Sequence, residues 1–361
     1  MGQMVINDYL TAFSGRRVMI TGHTGFKGSW LTFLLKELGA EVLGYALPPA
    51  DHDNHFDLLG LSKSICHVEA DIRDLQKLKK VMYDFKPEFV FHLAAQALVR
   101  PSYDDPRLTF DTNIMGSVNL LEAVRSCESV RSLVYITSDK CYENVEWIWG
   151  YRENDTLGGA DPYSASKAAA ELVFSAYARS FFSNRPELGA ASTRAGNVIG
   201  GGDWAVDRII PDCIRAIQSN KPIHLRNPTA TRPWQHVLEP LSGYLLLAIR
   251  LRDDPLGYSG SWNFGPSTNT VVTVEEVAQR LVTHFGKGSV TSDKNTNNHH
   301  EAQLLQLNCD KAHNLLQWQP RWDAETTITM TANWYKEMEA GKSAEAVTHE
   351  QLFSYFPELN I

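Results

Sequence analysis

Cysteine is scarce in this chain of 361 residues and is not arranged for cross-linking. The five cysteines are odd in number, widely spaced and free of any Cys-x-x-Cys pattern. This argues against a disulfide framework, which needs cysteines in pairs, and against a zinc site, which needs ligands at short, characteristic spacings. Reduced thiols are typical of a cytoplasmic protein, and we predict that location.

Long apolar runs and an excess of basic residues are also lacking. No stretch is long enough to span a bilayer, and the N-terminus does not have the pattern of a secretory signal. The formal net charge of -8 argues against partnership with nucleic acid or an anionic membrane. We expect no bound metal, because the cluster His299-His300-Glu301 has no metal-binding spacing and suits a surface or ligand-rim role better.

A glycine-rich loop lies between a predicted strand and a predicted helix near the N-terminus. Gly22, Gly25 and Gly28 recur every third residue, after the apolar run 18–20 and before the helical pattern 31–38. Glycines at such a junction allow a tight turn and let a pyrophosphate approach the helix N-terminus. The spacing differs from the standard dinucleotide fingerprint, but strand, glycines, helix and second strand occur in the expected order.

The acidic residue that usually binds the adenine ribose, about 20 positions further on, is absent. The second predicted strand, 42–47, ends in Pro48 and Pro49 instead. No Arg or Lys stands there to neutralise a 2′-phosphate, so we predict NAD rather than NADP, held less tightly than with a ribose carboxylate.

Further strand and helix patterns alternate as far as Arg194. This alternation predicts an α/β fold, a doubly wound parallel Rossmann sheet that binds ligands at the carboxyl ends of its strands. The predicted strands 67–70, 89–93 and 133–137 lead into small or polar residues suited to such an edge. The residues that we assign to the cofactor are Gly22, Thr24, Gly25, Phe26, Lys27, Gly28, Asp71, Ile72, Leu93, Ala94, Ala95, Thr112, Tyr163 and Lys167.

Beyond Arg194 the sequence becomes richer in glycine and turns, and it predicts a smaller, interleaved C-terminal α/β domain for the substrate. We place the cofactor domain at 1–198 with a return segment at about 235–265, and the substrate domain at 199–234 and 266–361. The last predicted helix is 326–339. The predicted long helices, 113–125 and 163–182, are candidates for a homodimer interface, with a tetramer as the alternative.

The residue pair Tyr163 and Lys167 has the spacing of a general base with a neighbouring cation. Asp161 and Pro162 are typical of a helix N-cap and first turn, so Tyr163 and Lys167 share one helix face. A Lys charge favours phenolate, and we expect it to lower the pKa of Tyr163. Such a phenolate takes the proton of an alcohol while hydride leaves the same carbon. Alone, this spacing is common on amphipathic helices.

These stretches together resemble the extended short-chain dehydrogenase/reductase family, in its nucleotide-sugar branch. The resemblance rests on the segment TGHTGFKG from Thr21, the pair Tyr163 and Lys167, Ser138, and the TRPW segment, and it runs from about 15 to 322. It implies that Ser138 bonds the substrate alcohol and that the substrate is a nucleotide sugar. Sugar-nucleotide 4,6-dehydratases follow this Ser or Thr with Asp and usually Glu, whereas this chain has Asp139 and Lys140.

The Lys at this position, together with GGGDWAVDRIIPD and TRPWQHV, resembles the members of this branch that act on CDP-glucose. The resemblance implies that substrate and a role in deoxysugar synthesis for surface polysaccharide. The resemblance then implies that Asp139 protonates the leaving 6-hydroxyl, for which it must be buried. Lys140 either removes the carbon-5 proton or stays charged and stabilises the enolate-like state. The predicted substrate-binding residues are Asn197, Arg208, Arg232 and Asn269. For the arginines the alternative is a structural ion pair, and for Asn197 a turn cap.

Two other functions remain open from the residues. A nucleotide-sugar 4-epimerase or simple dehydrogenase would need only Ser138, Tyr163 and Lys167, and Asp139 and Lys140 would be incidental. A 4,6-dehydratase that acts on a different nucleotide sugar is the other alternative. A regulatory protein that senses the cofactor without turnover is disfavoured by the intact catalytic set.

Overall fold

A computed structural model describes residues 6–49, 53–266, 272–292 and 304–357. The strands are β1 Arg17–Thr21, β2 Glu41–Ala46, β3 Cys66–Glu69, β4 Phe89–His92, β5 Ser132–Ile136, β6 Gly189–Arg194, β7 Val198–Ile199, β8 Ile223–Leu225, β9 Thr231–Arg232, β10 Gln235–His236, β11 Gly260–Asn263, β12 Val272–Thr273 and β13 Val290–Ser292.

The α-helices surround and extend this set of strands. They are α1 Ile6–Phe13, α2 Phe26–Glu37, α3 His55–Leu58, α4 Leu75–Phe85, α5 Val99–Asp104, α6 Pro106–Phe110, α7 Gly116–Arg125, α8 Pro162–Ser180, α9 Ile209–Gln218, α10 Leu238–Asp253, α11 Pro255–Tyr258, α12 Val274–Phe285, α13 Ala324–Glu339 and α14 Ala344–Tyr355. Short 3₁₀ or π segments occur at Leu61–Lys63, Asp111–Met115, Asp139–Cys141, Phe182–Asn184 and Ala312–Leu316.

Seven strands form one parallel sheet in the order β11-β6-β5-β4-β1-β2-β3. Read from β3, this is the doubly wound order 3-2-1-4-5-6 with one more strand at the β6 edge. The predicted fold class is therefore confirmed. The order also places the carboxyl ends of β1, β4 and β5 side by side.

Alternate side chains of each central strand enter two different cores, as the two-residue period of a strand requires. Val18 and Ile20 of β1 pack with helices α2 and α10, whereas Met19 packs on the opposite face. That opposite face is covered by α4, α7 and α8. Burial of both faces explains why the strands read as nearly continuous apolar runs.

The smaller elements after β6 pack on the first of these cores. Three two-stranded pairings, β7 with β10, β9 with β12 and β8 with β13, lie outside the main sheet. Apolar residues from the start of the chain to Phe356 share one cluster with the sheet. The domain boundary near 198 stays a prediction.

Most predicted elements occur within a few residues of their expected bounds, and the strand predicted at 133–137 is β5, Ser132–Ile136. Helix α14 was not predicted, since the last predicted helix ends at 339. Its buried residues include Thr348 and Gln351 beside Val347 and Leu352, so its apolar stripe is interrupted. Within the described residues, no helix has the length and apolarity needed to cross a membrane.

Candidate active site

The glycine loop between β1 and α2 forms a tight turn that only glycine permits at two positions. Gly22 has φ +74°, and a Cβ atom there would lie 2.6 Å from the backbone nitrogen of Ala94. A Cβ atom on Gly28 would lie 2.1 Å from the carbonyl oxygen of Gly22. Helix α2 begins after Gly25 without a side-chain cap, so its first N–H groups are available to an anion.

The carboxyl end of β5 delivers the Ser-Asp-Lys triplet. Ser138 precedes a short 3₁₀ turn and its hydroxyl oxygen accepts from the Lys140 backbone N–H at 3.2 Å. The same hydroxyl donates to Asp139 Oδ1 at 2.9 Å. Asp139 is 5% exposed. A Cβ atom on Gly196 would lie 1.8 Å from Asp139 Oδ2, so the carboxyl packs directly on that glycine.

Helix α8 begins as its sequence predicts. Asp161 accepts a hydrogen bond from the Ser164 backbone N–H at 2.9 Å, and Pro162 occupies the first turn. Tyr163 and Lys167 are both buried on the face turned toward the end of β5. The Lys167 ammonium lies 5.9 Å from the centre of the Tyr163 ring.

The expected effect of Lys167 on the phenol was wrong. Burial raises the pKa of Tyr163 to about 12; the Ser138 hydroxyl opposes the increase and the Asp139 charge adds to it. Burial also lowers the pKa of Lys167 to about 8, while Cys141 and Glu171 oppose that decrease. Removal of water is therefore the largest influence on the pKa of both groups.

One cavity of about 1210 Å³ unites these groups with most of the predicted site. Every predicted catalytic and cofactor residue lines it, as do Asn197, Arg208 and Arg232. In particular, Asp139 and Lys140 face the same space as Tyr163. Asn269 lies outside the described residues, as does the cluster at 299–301.

The predicted substrate residues differ in their surroundings. Arg208 Nη1 forms an ion pair with Asp203 Oδ2 at 2.9 Å, as its structural alternative expects, and Arg208 also lines the cavity. Arg232 Nη1 donates to the Thr231 carbonyl oxygen at 2.8 Å. Asn197 adopts a left-handed φ of +51°, a strained conformation at the cavity wall.

Lys27 is closer to the reacting groups than its place in the cofactor loop suggests. Burial lowers its pKa to about 8, Arg208 lowers it further, and Asp139 opposes the decrease. Within the described residues, the ammonium groups of Lys27 and Lys167 form no hydrogen bond or ion pair. Buried ammonium groups without counterions suit a cavity that receives anionic phosphates and hydroxyl groups.

Further residues of the cavity were not found by sequence reasoning. Asp207, at φ +63°, accepts from Arg100 Nη1 at 2.9 Å and from Arg226 Nη1 at 3.1 Å. These partners are 107 and 19 positions away in the sequence, so no local pattern indicates them. The described residues contain no cluster of three or more metal-ligating side chains.

The uncapped α2 terminus, the glycine contacts and Lys167 fit a bound dinucleotide. Gly22, Gly25 and Gly28 leave room for a pyrophosphate against the helix N-terminus. Leu47, Pro48 and Pro49 line the end of the cavity beside β2, and Asp71, after the neighbouring strand β3, lines the same cavity. The described residues of the cavity would thus hold the phosphates and sugars of a dinucleotide, whose nicotinamide would supply the redox chemistry.

Known proteins share this architecture and much of this sequence. A curated CDP-glucose 4,6-dehydratase of Salmonella typhimurium is 47% identical over 347 residues, covering 95% of this chain and 97% of that protein. A UDP-glucose 4-epimerase of Halalkalibacterium halodurans is 25% identical and covers 91% of this chain and 98% of that protein.

Solved structures agree on the fold. The dTDP-glucose 4,6-dehydratase of Bacillus anthracis, in complex with NAD, superposes with a TM-score of 0.75 at 22% identity, covering 90% of this chain and 98% of that one. The sequence model of the GDP-mannose 4,6 dehydratase family matches residues 19–331. The chain therefore belongs to the GDP-mannose 4,6 dehydratase family.

Proposed function

We propose that this chain catalyses the 4,6-dehydration of CDP-glucose, giving CDP-4-keto-6-deoxy-D-glucose and water, with NAD as its cofactor. The observation that carries the proposal is the burial of Asp139 in the cavity that Ser138, Tyr163 and Lys167 line. The 47% identity to a CDP-glucose 4,6-dehydratase supports the substrate and the reaction. An epimerase needs no acid beside the alcohol-oxidising set.

The first half of the reaction uses Ser138, Tyr163 and Lys167. NAD, when bound, would supply a positively charged hydride acceptor for carbon 4 and, in its reduced form, a hydride donor for carbon 6. Because the pKa of Tyr163 is about 12, its phenol keeps its proton at neutral pH until positive charge comes near. The phenolate then takes the 4-hydroxyl proton, Ser138 holds the oxygen, and Lys167 supports the negative charge.

The second half removes water across carbons 5 and 6. The 4-ketone acidifies the carbon-5 proton, and a base takes that proton while the 6-hydroxyl leaves with a proton from Asp139. Asp139 is buried and lines the same cavity as Tyr163, which is where a proton donor to the 6-hydroxyl is required. Lys140 lines the same cavity, and we assign to it either the base role or charge stabilisation of the enolate-like state.

We place the remaining predicted ligands by their chemistry. Arg208 and Arg232 suit the diphosphate of the substrate, because a guanidinium forms paired hydrogen bonds with phosphate oxygens. Asn197 contacts the sugar-phosphate end. The described cysteines are free thiols, which supports a cytoplasmic site of action. The proposed product suits deoxysugar synthesis for surface polysaccharide such as lipopolysaccharide.

We also propose a homodimer through the outer faces of α7 and α8. Met115, at the start of α7, is 49% exposed, and Leu172 on α8 is 61% exposed. Leu108 and Phe181, on flanking segments, extend this apolar face. Pairing of two such faces would bury them as a four-helix contact, and pairing of dimers would give the alternative tetramer.

The direct test of function is incubation with NAD and separate CDP-, UDP-, dTDP- and GDP-linked glucose. We expect a 4-keto-6-deoxy sugar from CDP-glucose at a kcat/KM at least about tenfold above the others. Nuclear magnetic resonance of the product identifies the ketone and the new methyl group. Formation of CDP-galactose without loss of water would instead establish the epimerase.

Asp139→Asn should separate the two halves of the reaction. Because asparagine cannot donate the acid's proton, we expect dehydration to slow by about 10²–10⁴-fold. Oxidation at carbon 4 should persist, and the absorbance of the reduced cofactor should rise and remain. Asp84→Asn, at an exposed position on α4, is the control. Equal dehydration rates in both variants would contradict the role of Asp139.

Leu172→Glu should break the proposed dimer. A charge on a buried contact costs several kcal/mol unless it is paired, so we expect monomers at micromolar concentration. Sedimentation velocity measures the mass. Leu256→Glu, at a position 80% exposed on α11, should leave the assembly unchanged. A Leu172→Glu protein of unaltered mass would exclude this face.

A further inference from the structure

A carboxylate behind the catalytic cavity joins the two elements that carry the reacting groups. Glu171 lies on α8 one turn beyond Lys167 and is 2% exposed. Tyr163, Lys167 and Glu171 are spaced four apart, so they follow one face of the helix. The first two reach the cavity, and the third lies beneath its floor.

Both oxygens of the Glu171 carboxylate are occupied by partners from the sheet. Oε1 accepts from the hydroxyl of Thr137 at 2.5 Å, and Thr137 directly precedes Ser138. Oε2 accepts from Ser192 Oγ and from Arg194 Nη2, each at 2.8 Å. One side chain thus joins α8 to the end of β5 and to β6.

Arg194 extends this connection to the far edge of the sheet. Its guanidinium donates to Tyr142 Oη at 2.7 Å, to the Glu153 carbonyl oxygen at 3.0 Å and to Ser261 Oγ at 3.2 Å. Ser261 belongs to β11 and Tyr142 follows the 3₁₀ turn that holds Asp139. Both ends of the triplet segment are therefore fixed to the same ion pair.

The energetics favour a positioning role over a stabilising one. Arg194 and Glu171 side chains are 2% and 1% exposed, and a buried pair of this kind often adds little net stability compared with apolar packing. What a fully bonded buried pair does provide is one fixed arrangement of the segments that carry it. Here those segments hold the base and the acid of the site.

The charge of Glu171 also acts on Lys167. The titratable groups around Lys167 are Tyr163 and Glu171 on its own helix, Cys141 after β5, His92 at the end of β4, and Lys27 in the first turn of α2. Burial lowers the pKa of His92 to about 3, and burial raises the pKa of the Cys141 thiol well above its usual value. Both are neutral near pH 7, and Glu171 raises the pKa of Lys167.

We infer that Glu171, through its bonds to Thr137 and Arg194, is a positioning residue that fixes the Tyr163–Lys167 face against Ser138 and keeps Lys167 charged. The measurement of kcat for Glu171 variants rests on the proposed dehydration, whereas the measured titration of Lys167 does not depend on it. The two can therefore fail separately.

Glu171→Gln tests the charge with little change of shape. Since the acidic neighbour is lost, we expect the alkaline limb of the kcat profile, set by loss of the Lys167 proton, to move down by about one pH unit. At pH values well below that limb, kcat should fall about tenfold to a hundredfold with KM nearly unchanged, because the reacting groups are misplaced. The same downward shift should appear in the titration of nitrogen-15-labelled Lys167 by nuclear magnetic resonance.

Glu239→Gln is the matched control for loss of a buried carboxylate. Glu239 is fully buried and accepts from the Trp322 backbone N–H at 2.7 Å and from Tyr355 Oη at 2.6 Å, away from the cavity. The Glu239→Gln substitution should lower the free energy of unfolding without moving the alkaline limb of the kcat profile or the Lys167 titration. A limb that stays in place in Glu171→Gln, or moves equally in Glu239→Gln, would overturn the inference.

Two further variants keep the test decisive if Glu171→Gln does not fold. Glu171→Asp retains the charge on a shorter side chain, so kcat should fall while the alkaline limb stays in place. Thr137→Val removes one neutral bond to the carboxylate, and kcat should fall severalfold with the limb again unmoved. Wild-type kcat in Thr137→Val, or a displaced limb in Glu171→Asp, would contradict the role assigned to Glu171.

Discussion

The meeting of the β5 carboxyl end with the first turns of α8 is the contact on which the rest of this protein depends. Parallel pairing brings the end of β5 to the ligand edge, and the Asp161 cap starts α8 where Tyr163 and Lys167 face it. Hydroxyl, carboxyl, phenol and amine then line one cavity. The chemistry proposed for the chain follows from that approach, because oxidation uses Ser138 from the β5 end with Tyr163 and Lys167 from α8, and elimination uses Asp139 beside them.

Burial has a second consequence, which is electrostatic. Withdrawal from water lowers the pKa of Lys27 and Lys167 to about 8 and raises that of Tyr163 to about 12. The site by itself therefore holds its protons more tightly on the phenol and less tightly on the amines than free side chains do. The proposed removal of a proton from an alcohol therefore starts from a phenol that holds its own proton firmly.

Much of the fold was predictable, because local patterns determine it. The apolar runs at 18–20 and 133–137 and the cap at Asp161 marked β1, β5 and α8 to within a few residues. The proposed catalytic residues were named from their places at a strand end and a helix start, together with the family resemblance. Those signals are confined to short windows of sequence, which is why one amino-acid sequence is enough to predict these elements.

The remaining features depend on contacts between distant segments. Arg194 lies 23 positions from Glu171, and Arg100 lies 107 from Asp207, so neither ion pair has a local signature. The pKa of Tyr163 was predicted in the wrong direction because the extent of burial cannot be read from a four-residue spacing. Helix α14 was missed because Gln351 and Thr348 interrupt its apolar face and bond inside the protein.

One labelling experiment tests the central claim, that a single site oxidises carbon 4 and reduces carbon 6 of the same sugar. The protein is given CDP-glucose that carries deuterium at carbon 4, in ordinary water with NAD, and the product is analysed by mass spectrometry and nuclear magnetic resonance. The account predicts that deuterium appears in the methyl group at carbon 6, with a solvent proton at carbon 5. Deuterium that remains at carbon 4, or a product that keeps its 6-hydroxyl, would contradict it.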